Sequence, residues 1–387
     1  MVIRPFEPSD SPAVASLFPR AFPTSTWESP AALAAYMEEM FLGNPWLDRE
    51  LPSWVCLDGE RLVGFIGVMR RDMLFGSRPV RVALLTQLMI EPEKRLGVAA
   101  AQLVRKALAG PQDLTISDGA TDTARRMWER LGGSTSTLYT LQWRKLLRPV
   151  QYGLGLVLER AGRTAAALAG PLGAPVAALA DRYAARQMKL DEIDRFEDEA
   201  LTPALLLEAA RLVTARSRLR PDYDARSLDW LLAQARRKRR YGELQGRLLR
   251  ERNGSIAGWY LYYLNRGTSK VLQMGAREGA ERGVLEHLFH HAWRGGATVV
   301  EGRMEPRFSD ALGRLRCLFL SPGMYTLFHA RDPELLSTLA RGEAFFSRLD
   351  GEWWMRFHGE PRAAKRPDAL SLPFPWRTGV RQKPAHA

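Results

Sequence analysis

The chain has 387 residues, 46% apolar and 26% charged, with a formal net charge of +13. That length suits two or three domains with real cores, and so much Leu, Val, Phe and Trp excludes a disordered chain. The two cysteines, Cys56 and Cys317, exclude a disulfide framework and a cysteine-built zinc site; with a start that has no charged-then-apolar leader, they point to a reducing, cytoplasmic setting.

Residues 2–6 alternate as a short strand. Pro8, Ser9 and Asp10 make a turn ahead of a helix over 11–22, with Val14, Leu17 and Phe18 on its apolar face. A second helix covers about 30–42. Residues 53–57 and 62–69 read as strands joined at Asp58-Gly59, a hairpin turn. Then come a long apolar strand at 80–90, a helix at 96–109, a strand at 114–117, a helix at 121–131 stopped by Gly132-Gly133, and a last strand at 136–143. Hairpins followed by strand–helix–strand–helix predict a mixed α/β sheet with helices on both faces.

Residues 146–187 turn rich in Ala, Leu, Gly and Pro. Their uncharged stretch, 164–180, is too short to span a bilayer and is broken by Gly170, Pro171, Gly173 and Pro175. It reads as a helical linker packed on a domain. The alternative is an amphipathic segment on a membrane surface, with Arg148, Arg160 and Arg163 on its wet side.

A second pass through the same order follows. It predicts a strand at 189–196, helices from Thr202-Pro203 to about 216 and over 226–239, and a hairpin of 244–250 and 256–264 turning at Asn253-Gly254. A strand at 270–276, a helix at 282–294, a strand at 298–301, a helix at 309–320, a strand at 324–329, a helix at 333–340 and a strand at 353–357 complete it. Gly59-Glu60-Arg61-Leu62-Val63-Gly64-Phe65 matches Asn253-Gly254-Ser255-Ile256-Ala257-Gly258-Trp259, and Thr86-Gln87-Leu88 matches Leu272-Gln273-Met274. The halves look like diverged copies of one fold. The expected organisation is a first domain at 1–145, a linker at 146–187, a second domain at 188–357 and a basic tail at 358–387.

The most informative stretch is Leu88-Met89-Ile90-Glu91-Pro92-Glu93-Lys94-Arg95-Leu96-Gly97-Val98-Ala99-Ala100. An apolar strand ends in a short basic loop, with a Gly at the mouth of a helix and only small side chains after it. Unpaired amides and the positive dipole end of the helix favour an anion there. Gly97, Ala99 and Ala100 let a pyrophosphate approach the backbone, and Lys94 and Arg95 add charge. The plainer alternative is a helix start that needs a tight turn.

Here the chain resembles the GNAT (GCN5-related N-acetyltransferase) acyltransferases. Their pyrophosphate loop reads Gln or Arg, two residues, Gly, one residue, Gly or Ala; Lys94-Arg95-Leu96-Gly97-Val98-Ala99 matches it with Lys in first place, in a loop one residue shorter. The family's later Asn-x-x-Ala helix aligns with Thr121-Asp122-Thr123-Ala124-Arg125-Arg126-Met127-Trp128-Glu129-Arg130-Leu131-Gly132-Gly133. The resemblance covers residues 1–145 and implies two GNAT-like folds in tandem, the second degenerate. It implies acetyl-CoA or another acyl-CoA as co-substrate, with the pantetheine arm beside Leu88, Met89 and Ile90, the pyrophosphate on 94–100, and Thr121, Ala124 and Trp128 near the cofactor. It also implies N- or O-acyl transfer to a small molecule or polysaccharide precursor.

Two positions depart from the family. Trp128 stands where members carry a Tyr acid, and the strand site for a basic Glu falls at Thr86 or Gln87. Asp118 and Glu91 are the candidate bases, although Asp118 also suits a helix cap. Arg220-Pro221-Asp222-Tyr223 with Leu228-Asp229-Trp230 loosely resembles an acceptor-side segment; a helix anchored in the core by its aromatics is the alternative. A non-catalytic CoA-binding scaffold is the rival reading.

The charge excess is local. Residues 211–250 carry +8 and residues 361–387 carry +5, and the rest balances. No aromatics interleave the run Arg236-Arg237-Lys238-Arg239-Arg240, which argues against nucleic acid, and an adaptor for an anionic polymer or membrane is a third reading. His287 and His291 share a helix face, but two ligands are too few, so no metal is expected.

Overall fold

A computed structural model of the chain describes residues 1–22, 29–92, 98–187, 195–321 and 323–352, without the side chains of 159–174 and 187. In chain order the first half holds β1 (Val2–Pro5), α1 (Ser11–Ala21), α2 (Pro30–Phe41), β2 (Trp54–Asp58), β3 (Arg61–Phe75), β4 (Arg78–Ile90), α3 (Ala99–Leu108), β5 (Leu114–Ala120), α4 (Asp122–Arg130), β6 (Ser134–Ser136), α5 (Thr137–Thr140), β7 (Gln142–Leu146) and α6 (Pro149–Gln187). The second half holds β8 (Glu197–Ala200), α7 (Pro203–Val213), β9 (Leu219–Pro221), α8 (Ala225–Arg236), β10 (Glu243–Arg250), β11 (Ile256–Leu264), β12 (Thr268–Ala276), α9 (Glu281–Arg294), β13 (Val299–Arg303), α10 (Ser309–Arg314), β14 (Leu318–Leu320), β15 (Tyr325–Ala330) and α11 (Pro333–Ala340).

Local chemistry sets most boundaries. The Ser29, Thr121 and Thr202 side chains each accept an amide of the first helical turn, and Asp224 and Ser227 form a reciprocal capping box at α8. Gly59 and Gly254 turn the two hairpins at φ of +61° and +80°.

The strands form two mixed sheets. One runs β1-β2-β3-β4-β5-β15-β6, with β9 paired to β3; the other runs β14-β7-β13-β12-β11-β10-β8. In each sheet a single parallel pair sits at the centre, β4 with β5 and β12 with β13. This is the mixed α/β architecture expected, repeated along the chain. The unexpected feature is a reciprocal exchange. β7, from the first half, lies against β13 in the second sheet, and β15, from the second half, lies against β5 in the first. A cut at 145 would fall inside β7.

Three predicted elements change accordingly. The strand expected at 136–143 is β6, α5 and β7, because the Ser136 side chain caps α5 and the chain then crosses to the other sheet. The helix expected at 309–320 ends at Arg314; Arg316 adopts φ +54°, and Leu318–Leu320 pairs with β7. β8 is a short, exposed, acidic edge strand at 197–200, later than the expected 189–196, whose residues 189–194 lie outside the described part. The strand expected at 353–357 and the tail also lie outside it.

One core joins the halves: Phe65, Met69 and Met37 share a cluster with Leu206, Leu228 and Trp259. Separate cores sit on the outer faces, under α3 and α4 on one sheet and under α9 on the other. The α6 segment folds back on itself. A straight helix would set residues 150 and 181 roughly 46 Å apart, yet Asp181 accepts the amides of Val150 and Gln151 at 2.8 and 3.0 Å. Among the described residues no helix is long and apolar enough to cross a membrane.

Candidate functional site

The site begins with a defect in β4. Phe65 pairs with Met89 and Gly67 with Thr86, so Gln87 and Leu88 together face the single Ile66. This is a β-bulge, and Gln87 sits at φ +52° to make it. The β4–β5 pairing stops at Leu84–Ile116, and both strands run on, unpaired to each other, to Ile90 and Ala120. The result is a gap between two parallel strands, opened by the bulge. Gly67 is required beside it: a Cβ there would lie 2.4 Å from the Phe41 ring of α2.

Thr86 marks the mouth of this gap. It is buried, and its hydroxyl has no hydrogen-bond partner among the described residues. Leu88 is partly buried, and Met89 and Ile90 are buried on opposite faces of the sheet. Lys94, Arg95, Leu96 and Gly97 lie outside the described residues. Past them, Val98 is 60% exposed, Ala99 is buried against the sheet and Ala100 is partly buried at the start of α3. Thr121 caps α4, and Ala124 packs on the same outer face. Trp128 is buried under the exchanged strand, its indole donating to the Phe328 carbonyl at 3.1 Å.

The two candidate bases are both engaged. Glu91 is buried and pairs with Arg20 at 2.7 Å and Arg61 at 3.4 Å. Asp118 does not cap α4, since Thr121 does. Its fully buried carboxylate takes Arg303 Nη1 at 2.7 Å and the Glu352 amide at 2.6 Å. Arg303 ends β13, the counterpart of β5, so this ion pair ties the two halves together at their centres. A Cβ on Gly351 would lie 1.9 Å from Asp118 Oδ2; only glycine lets the chain pass there.

The sequence reading missed Glu352. Its Oε1 accepts from Ser117 Oγ at 2.6 Å and the Gly119 amide at 3.1 Å, which sets a third carboxylate against the end of β5. It is separated from Ser117 by 235 positions, and no local pattern marks it. The segment that delivers it, 344–352, threads a buried polar network. Tyr223 donates to Asp350, Ser347 Oγ donates to Asp350 at 2.6 Å, and Gln273 donates to Tyr223 and Ser347 at 2.9 and 3.0 Å. Burial pushes the Asp350 carboxyl up and brings the neighbouring Arg71 down to about 10. A small cavity of about 10 Å³ lies among Arg71, Trp46, Tyr223, Phe346 and Asp350, room for one water. The segment singled out at Tyr223 is thus core, close to the first half's sheet through β9.

The other motifs have local explanations. His287 Nδ1 meets Tyr260 OH at 3.0 Å and His291 Nδ1 meets Tyr262 OH at 2.7 Å. Burial holds His291 down at about 4, and Arg247 donates to its Nε2, so the ring is neutral with its proton on Nδ1. In the basic run, Arg237 pairs with Glu39, while Lys238 is buried on Tyr36 and burial brings it to about 7. Among the described residues no three metal-binding side chains cluster.

No protein-family model matches the chain, and no curated protein matches it in sequence. Solved structures do. A GCN5-related N-acetyltransferase from Kribbella flavida aligns with TM-score 0.53 and 14% identity, over 86% of this chain and 71% of that one. A second, from Anabaena variabilis ATCC 29413, gives 0.56 and 11%, over 84% and 72%. A probable N-acyltransferase of unknown function from Enterococcus faecalis V583 gives 0.54 and 12%, over 85% and 72%. The chain therefore has the GNAT acetyltransferase fold, in two sheets.

Proposed function

We propose that this chain is an acyl-CoA-dependent acyltransferase that moves an acetyl or longer acyl group to an amine or hydroxyl of a small molecule or polysaccharide precursor. The observation that supports it most is the β4–β5 gap, with apolar walls and the unpartnered Thr86 hydroxyl at its mouth. An acyl-pantetheine arm fits that chemistry. Its thioester carbonyl would take hydrogen bonds from backbone amides at the bulge, and its pyrophosphate would meet Lys94, Arg95 and the amides from Gly97 to Ala100.

In the reaction the acceptor nitrogen or oxygen attacks the thioester carbonyl carbon. Its proton passes to a carboxylate, the carbon–sulfur bond breaks, and the CoA thiolate leaves. Glu352, Asp118 and Glu91 are the carboxylates available. Glu352 is the best placed, at the end of β5 on an arm from the other half. Asp118 and Glu91 act as positioning residues, Asp118 on Arg303 and Glu91 on Arg20. Trp128 has no acidic proton to give, so the thiolate is protonated by water.

Calorimetric titration with acetyl-CoA and CoA, repeated on Gly97→Glu, tests the reading. Micromolar binding that the substitution removes is expected. Absence of binding to the unsubstituted protein overturns it. The engaged carboxylates favour one second reading, a CoA-binding protein without transfer activity. A thiol-release screen over amine acceptors separates the two: release that Glu352→Gln slows at least tenfold supports catalysis.

A further inference from the structure

We propose that the folded-back α6 arm is a docking surface for an anionic lipid bilayer. The arm is held at its base. Asp181 caps its first turn, and Arg148 donates to the carbonyls of Ala297 and Trp293 at 2.6 and 2.8 Å, which fixes it to the end of α9. Ala177, Asp181 and Ala185, at four-residue spacing, face the protein and are buried.

The opposite face is exposed. Val176, Leu179 and Tyr183 are 70%, 71% and 67% exposed and share one face at i, i+3 and i+7. Arg182 and Arg186, also exposed, run beside this stripe. Next to it opens a groove of about 390 Å³ lined by Arg148, Arg182, Trp293 and Arg294. Its carboxylate, Asp181, is taken up by two backbone amides, which leaves the arginines to set the charge. An apolar stripe with a Tyr, bordered by arginines, suits the boundary between headgroups and acyl chains, and the groove suits a lipid phosphate.

Charge complementarity selects the bilayer over a second copy of the chain. A self-complementary contact through this stripe would bring Arg182 and Arg186 of two copies together with no exposed acid of the arm beside them among the described residues. The site lies beyond the acyl-transfer reading and does not depend on it.

The test is co-sedimentation of the full chain with vesicles of phosphatidylcholine, with and without phosphatidylglycerol. Binding is expected only with phosphatidylglycerol, and it weakens as salt rises. Arg182→Ala with Arg186→Ala lowers the partition coefficient roughly thirtyfold, and Leu179→Glu with Tyr183→Glu abolishes it. If the glutamates perturb the circular dichroism spectrum, Leu179→Ser with Tyr183→Ser replaces them. No binding to anionic vesicles, or binding that neither pair changes, overturns the proposal. So does a concentration-dependent dimer in light scattering that the Leu179 variant dissolves.

Discussion

The two central strand gaps are built alike and end differently. In the first sheet, β4 bulges at Gln87 and leaves β5 after Leu84. In the second, the β11–β12 register slips by one residue at Leu272, and β12 leaves β13 after Lys270. The second gap is sealed by the chain itself: the Leu349 amide donates to the Leu272 carbonyl, and Gln273 is satisfied by Trp259, Tyr223 and Ser347. The loop that follows it spends its charges on neighbours, Arg277 on Glu251 and Glu278 on Arg216. In the first gap the Thr86 hydroxyl, at the position of Leu272, has no hydrogen-bond partner among the described residues. Polar groups buried by folding are normally paired, so the two gaps differ in how their polar groups are satisfied. One copy of the fold leaves its gap open, and the other fills the same place with its own backbone.

The ion pair between the gaps gives the largest expected effect. Arg303→Met leaves the Asp118 carboxylate buried without its cation and costs about 3–5 kcal/mol of unfolding free energy in urea titrations. A cost below about 1 kcal/mol would mean that the halves are not tied at this point. Asp118→Asn combined with Arg303→Met recovers part of the loss.

Lys238, where α8 of one half meets α2 of the other, gives a pH dependence. Burial brings its folded value to about 7, against about 10.4 in the unfolded chain. Between those values the unfolded chain holds a proton that the folded one has released. Stability from this residue therefore rises with pH from about 7 to 10, and its penalty is full below 7. Lys238→Met removes that slope and adds about 1–3 kcal/mol at pH 6. Denaturant midpoints across pH 6–10 that fail to flatten in the variant would refute this.

The gaps themselves predict opposite signs for substitutions of the polar side chain that each one buries. Gln273→Leu strands the partners of a satisfied amide and costs about 1–3 kcal/mol. Thr86→Val removes a hydroxyl that pairs with nothing and adds roughly 1 kcal/mol to stability, while weakening acyl-CoA binding or turnover. If both destabilise, the contrast between filled and open gap is lost.

Much of this was legible from local pattern. The apolar alternation of β1–β5, the Asp58-Gly59 and Asn253-Gly254 turns and the polar caps place most elements within a few residues, because each depends on neighbours in sequence. The resemblance around Leu88–Ala100 points to β4, the strand that carries the bulge and parts from β5. What sequence could not show was pairing decided at long range. Ser134–Leu146 is equally compatible with one strand or with a cap and a crossing, and only packing against β13 selects the second. The salt bridge from Asp118 to Arg303 and the arrival of Glu352 at Ser117 join residues that share no local signal, so sequence pattern points only to carboxylates near β4 and β5.

The exchanged strands also bear on how the protein is made. β5 ends at residue 120, and its neighbour β15 begins at 325. At ribosomal rates of roughly 5–20 residues per second, that interval lasts about ten to forty seconds. Throughout it the nascent first sheet carries an open edge that any passing strand could pair with. The first sheet can close only after nearly the whole chain has been made, which makes its last pairing a late event in synthesis.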